Sequence, residues 1–347
     1  MPNNLQELKA RLAEINDLHS AAALLHWDQS TYMPPRGGAA RGRQLATLSR
    51  LAHEKFIDGR IGELLASIED PDALAELSDT DAAMIRLTRR EYDRAVKVPP
   101  DFMAEFHRHT ADTYETWKVA RPKDDFALVR DKLARTVELS RRMAEFFPGF
   151  DHVADPLIDF VDEGITVATL RDLFDRLRAE LTPLVREIAE RPASDDACLH
   201  GHFPEADQLA FAREIVERFG YDFQRGRCDK TPHPFMTKFS LDDVRITTRC
   251  DESFIGETLF STMHEAGHAL YEQGIDRAFE GTPLAEGCSS GVHESQSRLW
   301  ENLVGRSRGF WSFAYPKLQQ RFPSFTGIPL DAFFRAINIS RHSLIRT

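Results

Sequence analysis

Cysteine is scarce in this chain: there are four in 347 residues, at positions 198, 228, 250 and 288. None forms the short paired spacing of a zinc knuckle. Their scatter suggests no disulfide framework, so the sequence reads as that of a protein in a reducing cytoplasm. Long apolar runs are missing as well. No stretch approaches the roughly eighteen consecutive apolar residues that a membrane span requires, and Met1-Pro2-Asn3-Asn4 followed by amphipathic Leu5 to Ile15 lacks the basic start and apolar centre of a secretory signal. Positive charge is in deficit, with 44 Lys and Arg against 55 Asp and Glu for a net charge of -11. That balance argues against nucleic acid as a general partner, which wants a basic face.

What is present is helical pattern. Residues Leu5 to Ile68 read as helix, interrupted at Met33-Pro34-Pro35-Arg36-Gly37-Gly38, where two prolines and two glycines force a turn. Further helices are predicted over Asp72 to Val98 with a fresh cap at Ser78 or Asp79, then Asp101 to Ala120, Asp124 to Phe147 and Thr169 to Arg191. Trp27, Asp28 and Tyr32, just before the first turn, read as packing residues. One stretch alternates with period two: Val244, Ile246 and Thr248 interleave with Arg245, Thr247 and Arg249, and Phe235 to Phe239 is placed to pair with it as a hairpin across Ser240 to Asp243. Such a hairpin either closes the fold or offers its edge to an extended peptide.

The chemistry concentrates in Ile255 to Gly274. Leu259, Met263, Ala266 and Leu270 recur at helical intervals and mark a buried helix, with Gly274 read as the left-handed residue beyond its end. On that helix His264 and His268, four apart, present two imidazoles side by side, half of a tetrahedral zinc shell. Glu265 sits one step round from His264, the general-base position of a zinc hydrolase. A third ligand is expected from a second helix, capped at Ser289 or Ser290 and running from Val292 to Val304 before Gly305. Spacing leaves His293, Glu294 and Glu301 all eligible. Other histidines fit a metal poorly: His107 and His109 fall on different helix faces, and His200 and His202 read as solvated loop residues.

Four ordered segments, His233-Pro234-Phe235, Asp243-Val244-Arg245-Ile246-Thr247, His264 to His268 and His293-Glu294-Ser295-Gln296, resemble in order and spacing the motifs of the carboxypeptidase Taq family of metallocarboxypeptidases. The likeness extends to Trp27-Asp28-Gln29, Tyr32-Met33-Pro34-Pro35 and Gly281-Thr282-Pro283-Leu284, and so covers nearly the whole chain. The resemblance implies a mainly α, gluzincin-like helical metallopeptidase fold with a deep cleft and a small antiparallel β-sheet beside the active-site helix. Residues 1–347 then form a single catalytic domain. It implies that Glu294 completes the shell with His264 and His268 around Zn2+, with Co2+ as an acceptable substitute, and that Glu265 is catalytic.

Hydrolysis of the last peptide bond of peptide substrates follows, with broad specificity, and a homodimer is implied. Arg245 and Arg346 stand in family-like stretches and are candidates to pair with the substrate carboxylate, while His233 and His293 are candidates to hydrogen-bond substrate or orient a ligand. The chain stops inside an element, in Ser340 to Thr347, and later family motifs have no counterpart, so a C-terminal part is expected to be lacking. Two other readings compete: a related zinc endopeptidase or dipeptidyl carboxypeptidase, and a non-catalytic helical peptide-binding protein.

Overall fold

The structure, a computed structural model, describes residues 2–70, 74–192 and 195–340. The helical sequence pattern is realised closely. Helices α1 (Pro2–Thr31), α2 (Gly38–Phe56) and α3 (Gly59–Ile68) replace the first long helical stretch. The break between α1 and α2 falls at the two prolines, and Asp58 opens α3 by accepting the Arg60 N–H. Then follow α4 (Asp79–Ala95), α5 (Pro100–Ala120), α6 (Ala127–Glu145), α7 (Asp155–Asp159), α8 (Val167–Ala189) and α9 (Glu205–Phe219). Ser78 is the cap of α4, its hydroxyl accepting from Asp81 N–H.

Two compact units emerge, one of residues 1–8 and 56–179, the other of 9–55 and 180–347. In the first, the hairpin of α5 and α6 closes over Val98, Phe102, Leu139 and Phe147, and Arg94 pairs with Asp159. The second holds the predicted chemistry. Its larger core gathers Phe203, Phe211, Leu259, Met263, Trp311, Phe325 and Phe333, drawn from α9 and the segment just before it, from α10 (Ile255–Gln273) and from the segments after α10.

The small sheet lies against α10. Strand β2 (Met236–Ser240) runs antiparallel to β3 (Asp243–Thr248), as the alternation predicts, but β1 (Cys228–Lys230) joins the other side of β3 in parallel. The sheet is therefore mixed rather than antiparallel. A strand of three residues, Cys-Asp-Lys, has too little alternation to announce itself. Val244 and Ile246 are fully buried in a cluster with Ala266 and Ala269 of α10. By the period of a strand, Arg245 and Thr247 then point to the opposite face.

Two further details differ from the sequence reading. Gly274 ends α10 with φ -82° and ψ -11°, still right-handed, its N–H taken by the Leu270 and Tyr271 carbonyls. The predicted helix from Val292 to Val304 is two pieces: α11 (Ser290–Arg298), capped by the Ser289 hydroxyl, and a π-helical turn (Leu299–Val304). The wider turn closes where Gly305 N–H reaches the Trp300 carbonyl five residues back. Beyond it stand α12 (Arg308–Arg321) and α13 (Leu330–Ile337).

Candidate metal centre

The buried stripe of α10, Leu259, Met263 and Ala266, sets the rotation of the helix and so aims the rings beside it. His264 and His268 stand with ring centroids 5.0 Å apart, each about four-fifths buried. Across from them, α11 packs so tightly on α10 that a Cβ added at Gly267 would lie 2.6 Å from both Gln296 O and Ser297 Cα. That approach delivers Glu294. Its Oε2 lies 3.6 Å from His264 Nε2 and 3.4 Å from His268 Nε2, and one donor atom from each of the three residues falls within 4.8 Å of the others.

These separations test the site for a divalent ion. Bonds of roughly 2.0–2.1 Å in a tetrahedral shell place neighbouring donor atoms about 3.3–3.4 Å apart, so the two edges to Glu294 already have the right length. The set fits, and of the three third ligands that spacing leaves eligible, Glu294 is the one that groups with both histidines among the described residues.

Glu301 has a different task. Its Oε2 accepts from His264 Nδ1 at 2.9 Å, which fixes the ring so that Nε2 faces Glu294. Burial would lower the proton affinity of His264, but this hydrogen bond and the charges of Glu265, Glu301 and Glu294 outweigh it and raise the ring's pKa. Glu301 and Glu294 are themselves held below the usual carboxylate range: burial acts against them, yet is overcome at Glu301 first by the bond from His264 and at Glu294 first by the His264 charge. Arg298 ties the two acids together, Nε to Glu294 Oε1 at 2.9 Å and Nη1 to Glu301 Oε2 at 3.0 Å.

His268 is held by another ring. Its Nδ1 lies 2.6 Å from His293 Nδ1, and His293 Nε2 lies 2.8 Å from Glu272 Oε1, whose other oxygen takes the Lys238 ammonium at 2.7 Å. Burial, with His293 and His264 close by, pulls the His268 pKa down to about 4. Such a ring stays neutral with a lone pair to give. Glu265 is buried, 7% exposed, and its pKa is pushed up to about 7 by that burial, while its carboxylate accepts from Met236 N–H of β2.

The remaining sequence candidates lie elsewhere. Arg245 gives two 2.7 Å hydrogen bonds to Asp243 and packs over Trp27 and Phe239, on the face of β3 turned from α10. His233 is exposed between β1 and β2, and Arg346 is outside the described residues. His109 is engaged by Lys132 O and Thr136, and His200 stacks on Phe254. Sequence reasoning missed Gly267, Lys238, Glu272 and Met236. Glu272 offered a signal, since it lies four residues after His268 and therefore on the same face of α10.

A helical scaffold presenting two histidines and a glutamate from successive helices, with a buried glutamate beside them, defines a metallopeptidase site of gluzincin type. Residues 7–347 match the model of the carboxypeptidase Taq (M32) metallopeptidase family, and the chain belongs to that family. It is 38% identical to thermostable carboxypeptidase 1 of Thermus thermophilus, covering 99% of this chain and 69% of that protein, and 36% identical to carboxypeptidase 1 of Bacillus subtilis, covering 96% and 67%. The crystal structure of the M32 carboxypeptidase from Deinococcus radiodurans R1 superposes with a TM-score of 0.93 at 42% identity, over 99% of this chain and 69% of that one.

Proposed function

We propose that this protein is a metal-dependent carboxypeptidase that removes the C-terminal residue of peptides, with His264, His268 and Glu294 holding Zn2+ and accepting Co2+ in its place. The observation that carries this reading is the pair of Glu294 edges, 3.4 and 3.6 Å from two imidazole nitrogens, with a buried carboxylate at the next position on the helix. A bound divalent ion supplies Lewis acidity, polarising the scissile carbonyl and bringing the pKa of a water toward about 7.

The chain's own groups do the rest. Glu265 takes the proton of the attacking water and passes it to the departing amine nitrogen. In the metal-free protein burial raises its pKa to about 7, and the positive charge of a bound ion would favour the carboxylate, the form that takes the proton. The Met236 N–H holds one face of that carboxylate in place. Because the guanidinium of Arg245 is occupied by Asp243, Arg346 is the better proposed partner for the substrate's terminal carboxylate, through two parallel hydrogen bonds. His233 is proposed to hydrogen-bond substrate from its exposed position. A homodimer is supported by the family resemblance and by the apolar side chains left exposed on α8, Leu173, Phe174, Leu177 and Leu184 among them. Among the described residues no helix is long and apolar enough to cross a membrane, and the unpaired cysteines support a cytoplasmic location.

A matched pair of peptides, one with a free C-terminal acid and one amidated, tests the reading. The expected result is strong loss of cleavage on amidation. Equal cleavage of the two would point to an endopeptidase, and a zinc-loaded but inert protein would point to peptide binding without turnover.

A further inference from the structure

The two oxygens of Glu294 are held in unlike ways. Oε2 is turned to the imidazoles, 3.6 Å from His264 Nε2 and 3.4 Å from His268 Nε2. The Ser297 hydroxyl, which donates to Glu294 O at 2.7 Å, also stands 3.1 Å from Oε2. Oε1 is taken by Arg298, whose Nε donates to it at 2.9 Å. Chemistry fixes the direction of that bond, since a guanidinium has donors only and stays charged. Its Nη1 donates to Glu301 Oε2 at 3.0 Å, so one planar fork spans the carboxylate that faces the ion's place and the one that holds His264. Glu301 has a second cation, Arg306, 3.7 Å from its other oxygen. Glu294 and Arg298 are four apart on α11, while Glu301 lies in the π-helical turn, and the fork bridges the junction between them. Arg298 is half-exposed, so these pairs add little to stability. Their effect is on direction.

A carboxylate free to turn about its last bond can give an ion both oxygens, and the second would fill the place that a hydrolase keeps open. We infer that Arg298 is a positioning residue: by donating from Nε to Glu294 Oε1 it turns that carboxylate so that Oε2 alone serves the ion, and the fourth place stays free. The inference deepens the metal-site reading above and rests on it. Its sign is unusual. Loss of a supporting residue ordinarily weakens a metal site, but Arg298 puts a positive charge beside a cation's place, and without it Glu294 gains a second donor oxygen. Affinity should therefore hold or rise while turnover falls.

The visible absorption of the Co2+-loaded protein reads the number of ligands, because four-coordinate Co2+ absorbs far more strongly than the ion with more ligands. Two substitutions separate the hydrogen bond from the charge. Arg298→Met keeps an unbranched side chain and has no donor. Arg298→Gln puts an amide nitrogen on Cδ, where arginine carries Nε, and so restores the donor to Oε1 without the charge. The parent should show the intense four-coordinate band. In Arg298→Met the band should weaken, the dissociation constant for Co2+ should stay level or fall, and kcat should drop about 10- to 100-fold. Arg298→Gln should regain the intense band. An unchanged band in Arg298→Met would overturn the inference, as would weaker Co2+ binding, which marks a mere prop of the helix. So would an Arg298→Gln protein with the weakened band, since the charge rather than the bond would then be what acts. In each of these outcomes the parent binds Co2+ and the metal reading stands. A parent that binds no Co2+ overturns that reading and this inference with it.

Discussion

Gly267 lies against the backbone of Ser297, so closely that a methyl group at Gly267 would come within 2.6 Å of the Ser297 Cα. This contact sets the separation of the helix that bears both imidazoles from the helix that bears Glu294. Gly267→Ala must push α11 away, because both clashing atoms are backbone. Overpacking of this kind destabilises by about 1–3 kcal/mol, and the ion loses one of its three donors. Thermal unfolding together with chelator competition checks both effects; full Zn2+ affinity in a stable Gly267→Ala protein would refute the account.

Glu265 makes the metal-free protein less stable at neutral pH than at mildly acidic pH. Its pKa is raised by burial from the ordinary 4.5 to about 7, so the folded state binds its proton more readily than the unfolded state does. Stability from this group is therefore complete below 4.5 and lost as pH rises to 7, by up to ~3 kcal/mol. Glu265→Gln should abolish turnover, retain metal and be more stable than the parent above pH 7 in metal-free form, with the gap closing near pH 4.5. Denaturant titrations across that range would show it, and a gap that widens toward acid would contradict it.

Glu301 orients without ligating. Glu301→Ala leaves His264 Nδ1 without its acceptor and frees Arg298 to draw on Glu294 alone. Metal affinity should fall about 10- to 100-fold with the three ligands intact. Total loss of a stoichiometric ion, with affinity unmeasurable, would instead make Glu301 a ligand.

Removal of the ion should lower the melting temperature. Two lone pairs and a carboxylate oxygen converge on one point, and a ligand at a hundredfold its dissociation constant adds about 2.7 kcal/mol to stability. Calorimetry before and after chelation, with Zn2+ and Co2+ restored in turn, measures this; an unchanged melting point would mean that the three groups hold nothing.

Much of this was legible in the sequence because helical periodicity and ligand spacing are local. The four-residue step of His264 and His268, the stripe of Leu259, Met263 and Ala266, and the Ser289 cap each depend on a few neighbours. What was not legible depends on atoms brought together from afar. Spacing left His293, Glu294 and Glu301 open and only the family resemblance pointed to Glu294; the distance between two helices, which Gly267 sets, is what brings it to both imidazoles. The π-helical turn that carries Glu301 has no compositional mark, and β1 is too short to show a period. That Arg245 lies over Trp27 and bonds Asp243 depends on which face of β3 is turned from α10, which the alternation alone leaves open.

Every group assigned to the ion and its supports falls between Met236 and Glu301, inside one of the two units. Residues 56–179, the bulk of the other unit, contribute none of them. A substitution within residues 56–179 therefore removes none of the groups assigned to the ion, and what the centre is made of is decided within a stretch of under seventy positions, about one-fifth of the chain.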